Sequence, residues 1–561
     1  MTAPSRVRPA EVGHSAFTRR TLVKGAAWAT PVAAFSLSAP AMAASPLCAD
    51  LQYNSTSTGR LLSGSLLDVD LDNVVAVQGV TASATEPAAE GSKGGAEYDE
   101  RANPLNAGVL NAIDLELDGV AGLVSFLAAI LTDQNVGTLN QFAFAHELAG
   151  DTEVAEVGAS GAVADNGVIN LDEGAGAPPS LGSLDLRTVL EQLTDSEDAA
   201  TLVAAVTDLQ LEVGAVAGRA ESDRVCDGAA AVARMAAPEE VVTREHLLAS
   251  LRLVVESDTV GGVLTALEET VEAVPINTEA IISLLSALLG PLGPVADALL
   301  TLITVGTGLD VEIGLDLSQV TAPLPADPGS AIHAELGAGR LTVDVASLLG
   351  GAYPGGPSEW LNSLAANSRL FIDYPVPGDV VSNFLHDLTA ELIAKVKELV
   401  TIRISAGSVT GIGATGLLIE GSLAGFLEGR GTVRLVALGI DLVGQLGQAA
   451  VSGLLVSIGE LVDGAIDGLL NQDGLVPGLL DGVNSLLASL FTVLEDVLQL
   501  TVNAQNAPEN GSNPPTYYQD PNNVEAGQYD VAALHLQAVG ALNVLDLSIA
   551  RGSVGPNALR A

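Results

Sequence analysis

Aromatic side chains, cysteines and basic residues are scarce in this chain of 561 residues. Phe, Trp and Tyr make up 3% of it, and only two cysteines are present. Two cysteines far apart in sequence form neither a zinc site nor a CxxC redox motif. The aromatic platforms typical of sugar-cleaving sites are largely missing. The sequence does not exclude a pair of carboxylates for glycoside hydrolysis, because the two residues of such a pair meet only in the folded protein.

The shortage of basic residues makes the chain strongly acidic. There are 23 Lys and Arg against 68 Asp and Glu, which gives a net charge of −45. Such a chain repels nucleic acid and anionic surfaces at long range, so we expect no nucleic-acid partner. Its hydrophobic content of 48% supplies material for a core and indicates a globular rather than a disordered protein.

Familiar catalytic motifs are missing as well. The sequence contains no GxSxG elbow and no HExxH motif, and neither cysteine has a histidine near it in sequence. We therefore predict a protein that is not an enzyme and binds no cofactor or metal, with an unrecognised hydrolase as the minor alternative. Scattered histidines, which we expect to be isolated helix or strand-edge residues, are His146, His246, His333, His386 and His535.

Two motifs imitate ligand sites. GIGATG at residues 411–416 matches the dinucleotide fingerprint, but Gly421 follows too soon for a phosphate-binding helix, so we predict a Gly-rich hairpin. Asp68, Asp70 and Asp72 alternate, and on a strand their carboxylates would share one face able to hold Ca²⁺. The glycine and glutamate that an EF-hand needs do not follow them. We favour a solvated acidic strand face.

The N-terminal segment predicts export of the folded protein by the twin-arginine route. Arg19 and Arg20 precede a weakly apolar run that is too short to cross a hydrocarbon core, which needs roughly 20 residues. A small-x-small site follows, so we place signal-peptide cleavage between Ala43 and Ala44. The exported body is then residues 44–561, for which we expect no transmembrane span.

Export would carry both cysteines, Cys48 and Cys226, to a compartment where a disulfide can persist. We predict one long-range bridge between them. The alternative is a pair of unpaired, small apolar residues.

Segments with two different hydrophobic periods alternate along the exported body. Apolar alternation with β-branched residues and glycine predicts strands, and a 3.6-residue period predicts helices. The expected fold class is α+β: a large Gly-rich, mainly antiparallel β assembly with inserted long helical hairpins. The expected order is β-rich 50–180, a helical insertion 184–305, β-rich 308–376, a helix 378–400, β-rich 401–442, a helical insertion 445–503, a Pro/Asn loop 506–523 and C-terminal strands 527–556.

A short unit recurs where strand patterns change into helical ones. An aspartate between two apolar residues occurs at Asp185, Asp316 and Asp344, and more loosely at Asp70. Such a side chain can accept hydrogen bonds from the free amides of the next turn. We predict this capping role.

Leucine-rich segments and a tyrosine pair are candidate binding sites for a ligand or a partner. Prolines and acids interrupt the segments within 278–309 and 447–501, which favours buried helices over membrane spans. Helices lining an apolar groove for a lipid are the alternative. Tyr517 and Tyr518 lie on the Pro/Asn loop, either as exposed contact residues or packed back on the body.

Two terminal stretches carry a family resemblance. GRLLSGSLLDVDLDNVVAVQGVTASA (59–84), the recurrent Asp units and LDLSIARGSVGPNA (545–558) together resemble the choice-of-anchor G family of actinobacterial surface proteins. In that family a common exported body precedes one of several C-terminal anchoring devices, with no catalytic residue or ligand to carry over. No LPxTG-like sorting motif occurs here, so we expect release or non-covalent retention.

The resemblance implies a secreted or cell-surface-associated protein. We expect a non-enzymatic role in adhesion or envelope structure, with a cell-envelope or host surface ligand as the partner. The alternative is a carrier of a lipid or another apolar ligand between the leucine-rich helices.

Overall fold

The computed structural model describes most of the exported body. Described are residues 53–73, 79–84, 98–105, 139–146, 156–169, 180–193, 195–225, 239–306, 308–472, 475–507 and 513–559. Arg19 and Arg20 of the signal motif, the cleavage site at Ala43 and Ala44, and the cysteines Cys48 and Cys226 lie outside the described residues. Export and the disulfide therefore stay predictions.

Strands and helices alternate throughout. The strands are β1 (Tyr53–Leu66), β2 (Val69–Asp70), β3 (Val80–Ala84), β4 (Tyr98–Leu105), β5 (Leu139–His146), β6 (Glu156–Gly161), β7 (Ser180–Asp185), β8 (Asp208–Gly214), β9 (Val216–Val225), β10 (Glu239–Leu248), β11 (Leu251–Glu256), β12 (Asp310–Gly314), β13 (Ile332–Glu335), β14 (Arg340–Asp344), β15 (Ser368–Arg369), β16 (Thr401–Gly407), β17 (Gly416–Ser422), β18 (Thr432–Ala437), β19 (Ile440–Asp441), β20 (Leu498–Gln505), β21 (Tyr529–Ala538), β22 (Leu545–Val554) and β23 (Ala558–Leu559). The α-helices are α1 (Leu186–Glu191), α2 (Glu197–Ala205), α3 (Asp258–Glu272), α4 (Thr278–Leu289), α5 (Pro294–Thr301), α6 (Val345–Gly350), α7 (Pro357–Ser363), α8 (Val380–Leu399), α9 (Leu423–Leu427), α10 (Val443–Leu446), α11 (Gln448–Asp467), α12 (Leu475–Asp496) and α13 (Thr516–Gln519).

The described strands form four sheets with antiparallel pairing. The terminal sheet has the order β15-β20-β21-β22-β1-β2, and β3 and β23 also pair with β1. The covering sheet is β10-β9-β6-β5-β4, the central sheet is β13-β14-β11-β8-β7, and the distal sheet is β12-β16-β17-β18-β19. The predicted α+β class with antiparallel sheets is confirmed.

The helical insertion predicted at 184–305 is wrong in its middle part. Residues 208–225 and 239–256 form a two-stranded ribbon in which β8 and β9 run alongside β11 and β10. The ribbon passes from the central to the covering sheet, and the Ala249 amide donates to the Ala215 carbonyl oxygen there (2.8 Å). Leu248, Leu251 and Val255 are spaced three and four residues apart, which imitates a helix. The buried alternation in β8 and β11 is the stronger signal.

Glycines bring the terminal and covering sheets into direct contact. A Cβ on Gly552 of β22 would overlap the carbonyl oxygen of Gly158 in β6 and lie 2.9 Å from that of Gly218 in β9. A Cβ on Gly59 of β1 would overlap the carbonyl oxygen of Ala159. Stacked sheets are normally held about 10 Å apart by their side chains. These two sheets instead touch backbone to backbone.

Serine side chains bridge the same interface. The Oγ atoms of Ser55 and Ser57 in β1 donate to the carbonyl oxygens of His146 and Phe144 in β5, each over 2.8 Å. Ser160 Oγ in β6 lies 2.8 Å from the Arg551 carbonyl oxygen in β22. Because all three serines are buried, these bonds satisfy polar groups that water does not reach.

The longer helices form the main apolar core together with the central and distal sheets. In α11 the buried residues Leu455, Ile458, Val462 and Ile466 are spaced three or four apart and form one stripe. Two helices, Gln448–Leu470 and Gly478–Asp496, are long and apolar enough to cross a membrane by length and composition alone. Their apolar stripes pack in this core, which supports the interpretation as core helices.

The capping role predicted for the recurrent aspartates is confirmed. Asp185 and Asp344 accept hydrogen bonds from the amides of Thr188 and Ser347 at the starts of α1 and α6, over 2.9 and 2.8 Å. Asp316 does the same for Ser318 (3.1 Å) at a 3₁₀ turn. Each bond satisfies an amide without a partner inside its helix, so these strands pass directly into helical turns.

A partly buried histidine joins the covering sheet to α7. His246 Nε2 in β10 lies 3.2 Å from the Leu361 carbonyl oxygen. Next to it, Asn362 accepts a hydrogen bond from the Leu248 amide (2.8 Å). Burial lowers the pKa of His246 to about 4, against a small opposing effect of the Leu361 contact.

We expect His246 to make the fold less stable as the pH falls from 6.5 toward 4. In this window the unfolded chain binds a proton that the folded chain excludes, so the free energy of unfolding decreases. The loss is about 2 kcal/mol for a partly buried ring. Urea denaturation at pH 7 and pH 4.5 measures it. His246→Gln should remove this part of the pH dependence, whereas the exposed His386→Gln should not; equal behaviour of the two variants would contradict the prediction.

Candidate functional site

The dinucleotide-like motif at 411–416 forms the tip of the β16–β17 hairpin. Gly407 and Gly416 are the last residue pair of these strands. Gly411 and Gly413 have positive φ of 109° and 74°, which glycine adopts at little cost. The predicted Gly-rich hairpin is confirmed, and the motif leads directly into strand β17 and not into a helix that would bind a phosphate.

The acidic strand face predicted at Asp68, Asp70 and Asp72 is wrong. Strand β1 ends before Asp68, which lies in a turn with φ of 63°, and Asp72 lies in a 3₁₀ turn. The Asp70 carboxylate accepts the Asp72 amide (2.9 Å), and Asp72 forms an ion pair with Arg60. Within the described ranges, no three or more His, Cys, Asp or Glu are grouped to hold a metal ion.

A buried polar layer covers one face of the terminal sheet, and we call it the polar face. Asn503 and Ala550 have positive φ of 55° and 57° and interrupt the ladders of β20, β21 and β22. The register of the strands is the same on both sides of these two residues. Ser548 and Arg551 nevertheless lie on one face, since each is hydrogen-bonded to a tyrosine of the same pair. The polar face consists of Arg60, Ser63, Asp530, His535, Asp546, Ser548, Arg551 and Ser553.

A serine, a histidine and an aspartate are aligned at the centre of the polar face. Ser548 in β22 lies directly opposite His535 in β21, and its Oγ is 2.9 Å from His535 Nδ1. His535 Nε2 lies 3.1 Å from Asp546 Oδ1. The order serine, histidine, aspartate is that of a hydrolase triad, but the two ring nitrogens are exchanged, because a triad serine contacts Nε2 and the aspartate contacts Nδ1.

A charged network adjoins these three residues. Arg551 Nε donates to Asp530 Oδ1 over 2.7 Å, and both side chains are buried. Arg551 Nη1 donates to the hydroxyl of Tyr517 (2.9 Å), which itself donates to Asp72 Oδ2 (3.0 Å). Burial alone would lower the pKa of Arg551, but the neighbouring Asp530 charge raises it. The guanidinium therefore keeps its charge inside the protein.

The tyrosine pair seals the polar face. Tyr517 and Tyr518 on α13 are 3% and 4% exposed, so the interpretation as exposed contact residues is wrong and the packed-back alternative is confirmed. Their rings meet edge to face, 5.2 Å between centroids, and Arg551 lies 5.4 Å from the Tyr517 ring centre. Burial raises the pKa of Tyr517 to about 12 and raises that of Tyr518 further.

The sealed arrangement leaves Ser548 no room to react. Its side chain is buried, and its Oγ accepts a hydrogen bond from Tyr518 OH (3.2 Å) while facing His535. The neighbouring backbone belongs to the ladders of β21 and β22 on one side and β1 on the other. Amides held in a ladder cannot form the oxyanion hole that acyl transfer needs. The three residues thus act as a polar core that joins β1, β21, β22 and α13.

Two open cavities have linings in which polar and apolar residues are mixed. The larger has a volume of about 700 Å³ at the edge of the distal sheet, and the second has about 470 Å³ beside α3. The larger cavity is lined by charged residues that include Glu272, Glu312, Arg403 and Glu420. Neither resembles a closed apolar pocket for a lipid tail.

Sequence reasoning missed the polar face entirely. His535, Asp546 and Ser548 belong to two different strands, and only the β21–β22 pairing brings them together. The available signal was composition: His535 and Arg551 interrupt C-terminal strands whose other residues are mostly apolar or small. A charged or titratable residue in such a strand is either paired or functional.

Comparison with known proteins gives one match. A family model described as a domain of unknown function (DUF8394) matches residues 57–555. This range begins within β1 and ends just after β22, and these two strands are neighbours in the terminal sheet. No curated protein and no solved structure matches the chain.

Proposed function

The chain belongs to the DUF8394 family, and from this premise we propose that it is an exported, non-enzymatic protein, secreted or held at the cell surface, with a role in adhesion or envelope structure. The resemblance to choice-of-anchor G proteins and the twin-arginine motif at Arg19 and Arg20 support this proposal. Its partner would be a cell-envelope or host surface ligand.

One observation carries the non-enzymatic part of the proposal. The catalysis-like set of Ser548, His535 and Asp546 is buried beneath Tyr517 and Tyr518. Substrate cannot approach the serine without displacing both rings. The polar groups instead hold together strands from the two ends of the chain, which favours a structural role.

A carrier of a lipid between the leucine-rich helices is the alternative. The structure gives it little support, because the buried faces of α4, α11 and α12 belong to one continuous core. Neither of the two open cavities is lined by those helices.

Intact mass spectrometry of protein purified from the culture medium without detergent tests the proposal. After treatment with a fluorophosphonate that modifies activated serines, we expect no adduct, because Ser548 is sealed. Native and denatured masses should agree, with the chain starting at Ala44 and two hydrogens missing for a bridge from Cys48 to Cys226.

Three outcomes would overturn parts of the proposal. An adduct that is absent from the Ser548→Ala variant would identify a serine hydrolase. A native mass larger by a few hundred daltons, and lost on denaturation, would identify an apolar-ligand carrier. A chain that retains Arg19 and Arg20 would contradict export with cleavage.

A further inference from the structure

Large apolar side chains are exposed together at one end of the distal sheet. Ile412 at the tip of the β16–β17 hairpin is fully exposed, and Leu438 and Ile440 at the β18–β19 hairpin are 64% and 46% exposed. Val305, 81% exposed, lies in the turn 302–306, which packs against β16. We call these four residues the apolar tip.

Hydrogen bonds join the two hairpins of the apolar tip. The Gly439 amide donates to the Ala414 carbonyl oxygen over 2.8 Å, and the Leu438 amide donates to Thr415 Oγ1 over 3.1 Å. Leu438 keeps its exposed position with a φ of 52°, a conformation that a bulky residue rarely adopts. The apolar side chains are therefore held outward on a fixed backbone.

Charge is absent from the apolar tip although the chain is strongly acidic. None of the residues 302–306, 408–415 and 436–440 is Asp, Glu, Lys or Arg, while the whole chain has a net charge of −45. The nearest acid in sequence, Asp441, accepts the Val443 amide at the start of α10 (2.9 Å). Arg403 and Glu420 pair at the opposite end of the sheet.

The geometry points to a lipid surface with electrically neutral headgroups as the partner of the apolar tip. Hairpin ends are convex, so they enter a surface rather than enclose a guest. Apolar side chains without nearby charge can lie at the boundary between headgroups and acyl chains. An anionic surface would repel a chain of this charge. This contact goes beyond the proposed structural role, since that role names no lipid.

A second copy of the chain fits the apolar tip less well. Two convex tips would touch through a few side chains, far below the roughly 1,200 Å² that stable protein interfaces bury. Two acidic bodies also repel each other. The lipid surface avoids both difficulties.

Flotation with phosphatidylcholine vesicles tests the inference on the full exported protein. We expect a bound fraction that falls at least tenfold in Ile412→Asp and in Leu438→Asp, and that falls when phosphatidylglycerol is added to the vesicles. The matched control is Val539→Asp, which adds the same charge at a residue that is 56% exposed in the turn after β21. It should bind as the unchanged protein does.

A fluorescent variant adds a direct readout of insertion. In Ile412→Trp the new indole should shift its emission to the blue on addition of vesicles, because Trp360 is buried already. Absence of binding, or an equal loss in Val539→Asp, would overturn the inference. Concentration-dependent dimers that Ile412→Asp abolishes would also overturn it in favour of self-association. None of these outcomes bears on the mass measurement, so the two proposals fail separately.

Discussion

Gly552→Ala is expected to destabilise the protein by at least about 3 kcal/mol, because the added methyl group has no space. It would overlap the Gly158 carbonyl oxygen and crowd the Gly218 carbonyl oxygen. Both obstacles are backbone atoms of the covering sheet, and a backbone in a ladder cannot rotate aside as a side chain can. Gly552 does not have a positive φ, so the loss reports on the spacing of the two sheets and not on backbone strain.

Guanidinium chloride denaturation followed by circular dichroism measures this loss. Gly453→Ala is the matched control, because Gly453 lies inside α11 with no atom within 4 Å of its missing Cβ. Alanine there should stabilise the protein by up to about 1 kcal/mol, as expected for an open helix position. A small effect of Gly552→Ala, comparable in size to that of the control, would show that the sheets can separate without cost.

Arg551→Met is expected to destabilise the protein by about 3–5 kcal/mol. The change leaves the Asp530 carboxylate buried without its guanidinium partner, and it removes the hydrogen bond to Tyr517 OH. An unpaired charge inside a protein is among the most unfavourable arrangements known for a point substitution. The tyrosine pair should loosen at the same time.

The double variant Arg551→Met/Asp530→Leu tests the cause of the loss. Because it removes both charges, it should recover a large part of the stability. Arg403→Met is the matched control at an exposed arginine 3.8 Å from Glu312, and it should change stability by less than about 0.5 kcal/mol. If the double variant were as unstable as Arg551→Met, the guanidinium would matter for its packing and its bond to Tyr517 rather than for its charge.

Local rules predicted the elements that depend on neighbouring residues. The helix expected at 378–400 is observed as α8 (Val380–Leu399), and the aspartates at strand ends cap turns as expected. Capping and helical period involve residues within one or two turns, so the sequence carries them directly.

Pairing between distant strands was beyond the reach of the sequence. The ribbon of β8 to β11 was mistaken for helix, because the spacing of three and four residues in Leu248, Leu251 and Val255 imitates the helical period. The polar face needs β1 beside β22 and β21, and these strands are separated by most of the chain. No local pattern specifies such a neighbour.

The role of the glycines between the terminal and covering sheets was also beyond the reach of the sequence. The composition of 60 glycines indicated turns and hairpins. At Gly59, Gly158 and Gly552 the reason is instead the close approach of another backbone, which only the packed sheets reveal.

The pairing of β1 with β22 decides how the body would respond to mechanical force. Ser57 lies opposite Val554 and Leu66 opposite Leu545, so the two ends of the matched region leave the same end of the sheet. A force that pulls these ends apart would break the hydrogen-bonded pairs of β1 and β22 one after another. It would not load all of the pairs at once in shear. Such a body resists tension poorly as a link in a stretched chain.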